Sequence, residues 1–179
     1  MKKQLIATLV GGVIIFLWQF LSWSILNVHG SEFKYSANQD KVLEALTQNL
    51  EEGSYFFPQA APGSSQEEQQ KVMENSIGKP WATVSYHKSM EMSMGMNMFR
   101  GIVVDFVAVF LLVWLLLKSG NLTFSTALQS SLAVGAIAYL TIPYLNSIWF
   151  ESNSLGYVVD LVAQWGLVGA WLGWWLPRK

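Results

Sequence analysis

The chain has 179 residues, of which 52% are apolar and only 13% charged, and its formal net charge is −1. Charged residues make up about a quarter of an average soluble domain, so this composition indicates an integral membrane protein and excludes a nucleic-acid-binding protein that works through a basic face. The absence of cysteine excludes disulfides, thiol catalysis, Fe–S clusters and cysteine-type zinc sites, and two histidines are too few for a histidine-rich metal site.

The first predicted element is a transmembrane helix over residues 4–28. Its apolar run, Leu5 to Val28, is long enough to cross a hydrocarbon core of about 30 Å, which needs about 20 helical residues. Lys2 and Lys3 before it look like the start of a signal peptide. The run is nevertheless longer than the apolar region of a signal peptide, and no small-x-small cleavage pattern follows Ser24. We therefore expect an uncleaved first span.

Residues 29–97 are predicted to form a water-exposed insert, because this part of the chain holds nine of the twelve carboxylates and no long apolar stretch. Apolar residues at helical spacing predict an amphipathic helix over 36–50. Those residues are Val42, Leu43, Leu46 and Leu50. Ser65 and Glu68 have the spacing of a capping box, which predicts a second helix directly after Ser65. Alternating residues over 81–87 predict a strand, so the insert is expected to be a small α+β cap.

Three further apolar runs predict transmembrane helices over residues 98–117, 122–145 and 155–176. Pro143, near the end of the second of these runs, fits a kink or a helix end. The predicted fold class is an all-α membrane protein, with four transmembrane helices and a small α+β extracytoplasmic cap between helices 1 and 2.

Positive charges beside the spans predict their orientation. On one side the flanking residues are cationic and the short loops contain no carboxylate. These cations are Lys2, Lys3, Lys118, Arg178 and Lys179. The other side has Glu151 in its short loop as well as the acidic insert. Because Lys and Arg accumulate in cytoplasmic loops, we expect both termini in the cytoplasm and residues 29–97 outside.

Several short motifs occur in a recognisable order. A Lys-Lys pair precedes the first span, a Leu-rich helix follows, and Glu52 to Pro58 reads Glu-Gly-Ser-Tyr-Phe-Phe-Pro. A Lys-Pro pair and then Tyr86-His87 precede the three remaining spans. In this outline the chain resembles a family of uncharacterised bacterial four-span inner-membrane proteins with an extracytoplasmic insert between spans 1 and 2. The resemblance implies the topology and a bacterial inner membrane, and it implies no activity.

A methionine run precedes the second predicted span and is not part of the resemblance to that family. Its members alternate with other residues. They are Met90, Met92, Met94, Met96 and Met98, with His87 just upstream. Thioether sulfur suits Cu(I) and Ag(I), above all outside the cytoplasm, and flexible packing at the membrane surface is the alternative. In a strand the five sulfurs would share one face and His87 would point to the other. If the helix begins near Ser93 instead, Met94 and Met98 share a stripe with Asp105.

Asp105 and Asp160 are the only acidic residues within the predicted spans, and both are expected roughly 8–10 Å below the outer surface. An ionised carboxylate in hydrocarbon costs a few kcal/mol, so such groups face the bundle interior, water or a partner. Gln164 is a candidate member of the same polar cluster, and Arg100 and His29 are the candidate cationic partners. A proton or cation site, the floor of an outward-facing vestibule, and a structural contact between spans are the open interpretations.

Small residues on the fourth span let helix backbones approach closely. The residues of this kind that we single out are Gly166, Gly169 and Gly173. Packing within the four-helix bundle is their first interpretation. Contact with a second copy or with another membrane protein is the alternative.

The sequence contains no nucleophile–base arrangement, Gly-rich phosphate loop or His-Glu-x-x-His zinc motif. We therefore expect no catalytic residues and no enzymatic activity. The leading hypothesis is a non-enzymatic accessory or partner-binding membrane subunit without a cofactor, whose partners are the lipid bilayer and another membrane protein or itself. Extracytoplasmic handling of copper or silver through Met90 to Met98, and a small solute or proton pathway through Asp105 and Asp160, are the alternatives.

Overall fold

A computed structural model describes residues 2–178 of the chain, so Lys179, one of the cations behind the predicted orientation, lies outside the described residues. The chain divides into two compact units. One consists of the chain up to Lys34 together with the chain from Ser93 onward, and the other is Tyr35–Met92. The predicted insert, 29–97, is larger than the second unit, because residues at both of its ends belong to the helical unit.

Seven α-helices and two β-strands form within residues 2–178. In chain order they are α1 (Lys2–Phe20), α2 (Gln39–Asn49), β1 (Gly53–Phe57), α3 (Gln66–Ser76), β2 (Ala82–Tyr86), α4 (Met94–Lys118), α5 (Phe124–Tyr139), α6 (Leu145–Phe150) and α7 (Leu155–Trp175). Two π-helical segments add to them, Leu21–Ile25 after α1 and Leu140–Tyr144 between α5 and α6. The protein is thus mostly helical with one small sheet, as the sequence predicts.

Four continuous helices are long and apolar enough to cross a membrane. They are Lys2–Ile25, Met94–Lys118, Phe124–Phe150 and Leu155–Trp175. At 1.5 Å per residue these lengths, 21 to 27 residues, correspond to about 32–41 Å. The third helix runs past the predicted end because Pro143, which has no N–H, lies inside a π-helical segment and does not stop the helix.

The helical unit is built around α1, which packs against both α4 and α7, while α5 packs along α7. Its core consists of buried apolar side chains from all four helices. They are Ala7, Ile15, Val109, Leu112, Val113, Leu116, Ala127, Val168, Leu172 and, just after α7, Leu176. Gly12 lets α1 and α4 approach, since a Cβ atom there would lie 2.1 Å from the Phe106 ring. This core fills the half of the unit that contains the first turns of α1.

The smaller unit contains an antiparallel hairpin and two exposed helices. β1 pairs with β2 from Gly53 opposite Tyr86 to Phe57 opposite Ala82. The capping box before α3 is confirmed, because the Ser65 hydroxyl accepts from the Glu68 N–H and the Glu68 carboxylate accepts from the Ser65 N–H. Both predicted helices form here, the first as Gln39–Asn49.

Candidate functional site

A buried polar cluster forms where α1 ends and the chain turns back. The π-helical segment carries Ser22, Asn27 adopts a left-handed conformation (φ 51°), and the Val28 N–H donates to the Ser22 carbonyl oxygen at 3.0 Å. This turn brings His29 against α7. Gly156 leaves room for the imidazole, since a Cβ atom there would lie 2.8 Å from Nδ1 of His29.

Asp160 of α7 is surrounded by hydrogen-bond donors. Its Oδ1 accepts from the Trp18 indole at 2.9 Å and from the Ser22 hydroxyl at 2.6 Å. Its Oδ2 lies 2.8 Å from Nε2 of His29. Only 7% of Asp160 is exposed, so these donors replace the water that a carboxylate needs when it is buried.

His29 lies between two carboxylates and is 3% exposed. Asp160 faces Nε2, and Glu32 faces Nδ1. A neutral imidazole donates from only one nitrogen, whereas the imidazolium donates from both, so this environment suits the protonated ring. Burial lowers the pKa of His29, but the hydrogen bonds and negative charges of Glu32 and Asp160 outweigh burial and leave the pKa above its ordinary value of 6.5.

Two aromatic rings fix the imidazole. Trp23 stacks on His29 with ring centroids 3.9 Å apart and planes 3° apart. Tyr157 meets His29 edge-on at 4.9 Å, and its hydroxyl donates to Oε2 of Glu32 at 3.1 Å. The row Asp160–His29–Glu32, which we call the relay, is therefore held rigidly from both sides.

Glu32 connects the relay to a cleft of about 580 Å³ that opens to solvent. The cleft is lined by residues from the turn after α1, the π-helical segment before α6, α6 and the loop after it, and the first turn of α7. Besides Glu32 and Tyr157, they are Ser31, Phe33, Lys34, Ile142, Pro143, Asn146, Glu151, Ser152 and Asn153. The relay thus leads from this cleft to a carboxylate inside the bundle.

Asp105 lies beside the relay but does not join it. Gln19, which follows Trp18 on α1, donates to Oδ1 of Asp105 at 3.1 Å. Oδ2 of Asp105 has no hydrogen-bond partner within residues 2–178. The two acidic residues that the sequence singles out are therefore connected only through neighbouring residues of α1.

Two other candidates from the sequence remain apart from the cluster. Gln164 is half-buried one turn further along α7 and makes no hydrogen bond to the relay in the part of the chain that the structure describes. Arg100 is exposed on α4, and no described carboxylate lies within ion-pair distance of it. Of the two expected cationic partners, the structure places only His29 beside Asp160.

The methionine run does not form a strand. Because α4 begins at Met94, Met94 and Met98 share one side of the helix while Met96 lies about 200° away from Met94. The strand interpretation is therefore wrong from Met94 onward. The alternative, in which Met94, Met98 and Asp105 lie along one side of a helix, agrees with the structure, since Asp105 falls about 20° from Met94 around the helix axis. All five methionines are exposed.

His87 belongs to the smaller unit, Tyr35–Met92. Its Nδ1 lies 3.1 Å from Oε1 of Glu52, and its Nε2 lies 3.3 Å from the Ser85 hydroxyl. Among residues 2–178, no three His, Cys, Asp or Glu side chains form a group that would hold a metal ion. Copper or silver binding by the methionines stays a prediction.

Gly169 and Gly173 lie in the contact between α5 and α7. A Cβ atom on Gly169 would lie 2.9 Å from Cβ of Ser131, and one on Gly173 would lie 2.8 Å from the carbonyl oxygen of Phe124. Gly166 has space, because the nearest atom to its Cβ position is 3.9 Å away. Gly169 and Gly173 therefore serve the packing of α5 against α7 within the chain.

Fold and site together define a class of protein: a helical protein with four helices long and apolar enough to span a membrane, and a buried histidine–carboxylate relay where α1 ends. Comparisons with protein-family models, curated proteins and solved structures found no match. The resemblance to bacterial four-span proteins therefore stays a prediction.

Proposed function

We propose that this protein is a non-enzymatic, four-span membrane protein that binds a proton at the relay from one side of the membrane. The observation that carries the proposal is the position of His29, which is buried with a carboxylate at each ring nitrogen. With both carboxylates ionised, protonation of His29 reduces two uncompensated negative charges to one. A change of charge in so dry an environment alters the local field far more than it would in water.

The packing below the relay supports proton binding rather than proton conduction. From the relay toward the first turn of α1, the space between helices is filled by apolar side chains such as Ile15, Val109 and Leu172. The buried polar side chains described in that half are the hydroxyls of Thr8 and Ser131. Neither takes up or releases a proton near neutral pH, so these two described side chains offer no path for a proton from the relay toward the first turn of α1.

The expected orientation indicates from which side of the membrane a proton reaches the relay. If Lys2, Lys3, Lys118 and Arg178 mark the cytoplasmic face of a bacterial inner membrane, the cleft opens on the extracytoplasmic side. The cation Arg178 lies 3.3 Å over the ring of Trp174, an aromatic and basic pair typical of a membrane interface. In this arrangement the protein is an accessory subunit, and a partner membrane protein or a second copy responds to protonation of the relay.

Reconstituted vesicles separate proton binding from proton conduction. With an imposed pH gradient and a pH-sensitive dye inside the vesicles, we expect the native protein to dissipate the gradient no faster than protein-free vesicles. His29→Gln and His87→Gln, the same change at the relay and at the exposed histidine, are expected to give that same rate. A flux that native protein and His87→Gln show and His29→Gln loses would overturn the proposal in favour of a pathway.

A further inference from the structure

The cleft beside Glu32 has the dimensions of a small-molecule site. Its volume of about 580 Å³ falls within the range of about 300–1,000 Å³ that is usual for ligand pockets. Its lining includes the apolar residues Ile142 and Pro143 and the aromatic residue Tyr157. The lining also includes two acidic residues, Glu32 and Glu151.

The backbone around this cleft is irregular on two sides. Glu151 ends α6 in a left-handed conformation (φ 48°), which is uncommon for a residue other than glycine. Pro143 lies in a π-helical segment, and such segments occur frequently at functional sites. Both irregular positions contribute residues to the wall of the cleft. Strained backbone conformations cluster at ligand-binding sites.

The charges and surfaces of the cleft select a cation with an apolar part. Two carboxylates against the single cation Lys34 leave an excess of negative charge. The aromatic and aliphatic wall accommodates hydrocarbon and attracts a cation to the face of a ring. We infer that the cleft binds a small organic ammonium ion. This inference rests on the proposed function, because the same carboxylate, Glu32, faces both the cleft and the relay.

Ammonium binding and protonation of His29 are expected to oppose each other. Glu32 accepts from His29 and from Tyr157, and a carboxylate has further lone pairs for a ligand in the cleft. The charged groups that face His29 are Glu32 and Asp160, with the Tyr157 hydroxyl as the remaining titratable neighbour. An ammonium ion on Glu32 neutralises the charge that stabilises the imidazolium. By reciprocity, protonation weakens ammonium binding by the same factor.

Calorimetric titration of the purified protein in detergent with ethylammonium chloride, at constant ionic strength and several pH values, tests this inference. Below the midpoint of His29 titration, we expect Kd to fall by up to about tenfold per pH unit as pH rises, because one proton leaves for each ammonium ion bound. Glu151→Gln, which keeps an acceptor oxygen but removes the negative charge, is expected to weaken binding about tenfold. Glu74→Gln, the same change on exposed α3, is expected to leave Kd unchanged.

The outcomes distinguish this inference from the proposed function. Absence of ethylammonium binding in a protein whose His29 titrates overturns the inference and leaves the proposed function intact. Equal binding of sodium or calcium ions, or equal binding by the Glu151→Gln variant, also overturns it. Binding that depends on Glu151 but is identical in native protein and His29→Gln at every pH overturns the coupling between cleft and relay, and counts against the proposed function as well.

Discussion

Asp160→Asn is expected to destabilise the helical unit by about 3–5 kcal/mol, the range seen when one partner of a buried ion pair is removed. The variant keeps the shape of the side chain. It leaves His29 without the negative charge that faces Nε2, and it replaces one acceptor oxygen by an NH₂ group among the donors of Trp18 and Ser22. Denaturant unfolding in mixed detergent micelles, followed by tryptophan fluorescence, measures the difference in the free energy of unfolding.

Asp105→Asn is the matched control, because it makes the same change at the other acidic residue of the spans, on α4. Asp105 accepts one hydrogen bond, from Gln19, and its Oδ2 has no partner within residues 2–178. An amide at this position keeps an acceptor for Gln19, so we expect a change below about 1 kcal/mol. Equal losses in the two variants would show that Asp160 contributes no more than any buried carboxylate, and would contradict the structure of the relay.

The pH dependence of stability has a defined sign. Since the pKa of His29 is raised above 6.5 in the folded protein, the relay stabilises the fold fully below that unfolded value. The contribution is lost as pH rises through the folded pKa. The native protein is therefore expected to lose stability above about pH 6.5, and the loss is expected to become smaller in Asp160→Asn, in which Glu32 still faces the ring.

Gly169→Ala is expected to destabilise the contact between α5 and α7 by about 1–3 kcal/mol, the usual cost of overpacking. The new Cβ atom would lie 3.0 Å from the backbone Cα of Leu128 and 2.9 Å from Cβ of Ser131, so the two helices must separate. The identical substitution at Gly166 meets nothing closer than 3.9 Å. It is expected to be neutral or to stabilise by up to about 1 kcal/mol, because alanine favours a helix more than glycine does.

The difference between Gly169→Ala and Gly166→Ala in the free energy of unfolding tests this contact, and the same unfolding assay measures both. Equal effects at Gly166 and Gly169 would contradict the close approach of α5 to α7. If Gly166→Ala instead changed the oligomeric state in detergent, this open glycine would mark a contact with a second copy.

Local sequence patterns predicted the long helices well. Hydropathy summed over about 20 residues is a strong signal, and a capping box needs only two residues in register, Ser65 and Glu68. The ends of helices were less predictable. A π-helical segment depends on hydrogen bonds five residues apart and on tertiary packing, so nothing in the sequence indicated that the third helix continues through Pro143 to Phe150.

The relay was only partly predictable, because most of its contacts join distant parts of the chain. Asp160 and His29 stood out as a carboxylate within a span and a histidine near its boundary. The partners Trp18 and Ser22 did not, since Trp18 and Asp160 are 142 residues apart in sequence. Glu32 had one local signal, its position three residues after His29, but the positive φ of Asn27 that folds this turn back is visible only in the structure.

Nitrogen-15 NMR of histidine-labelled protein in micelles tests the central claim most directly, because the sequence contains only two histidines. His87→Gln assigns the signals. Across a titration from about pH 5 to 9, we expect the His29 ring to keep imidazolium shifts above pH 6.5, and Glu32→Gln, which removes one of the two carboxylates at the ring, to move its midpoint down. A His29 ring that is neutral throughout, or a midpoint that Glu32→Gln leaves unchanged, would contradict the relay as a proton-binding site.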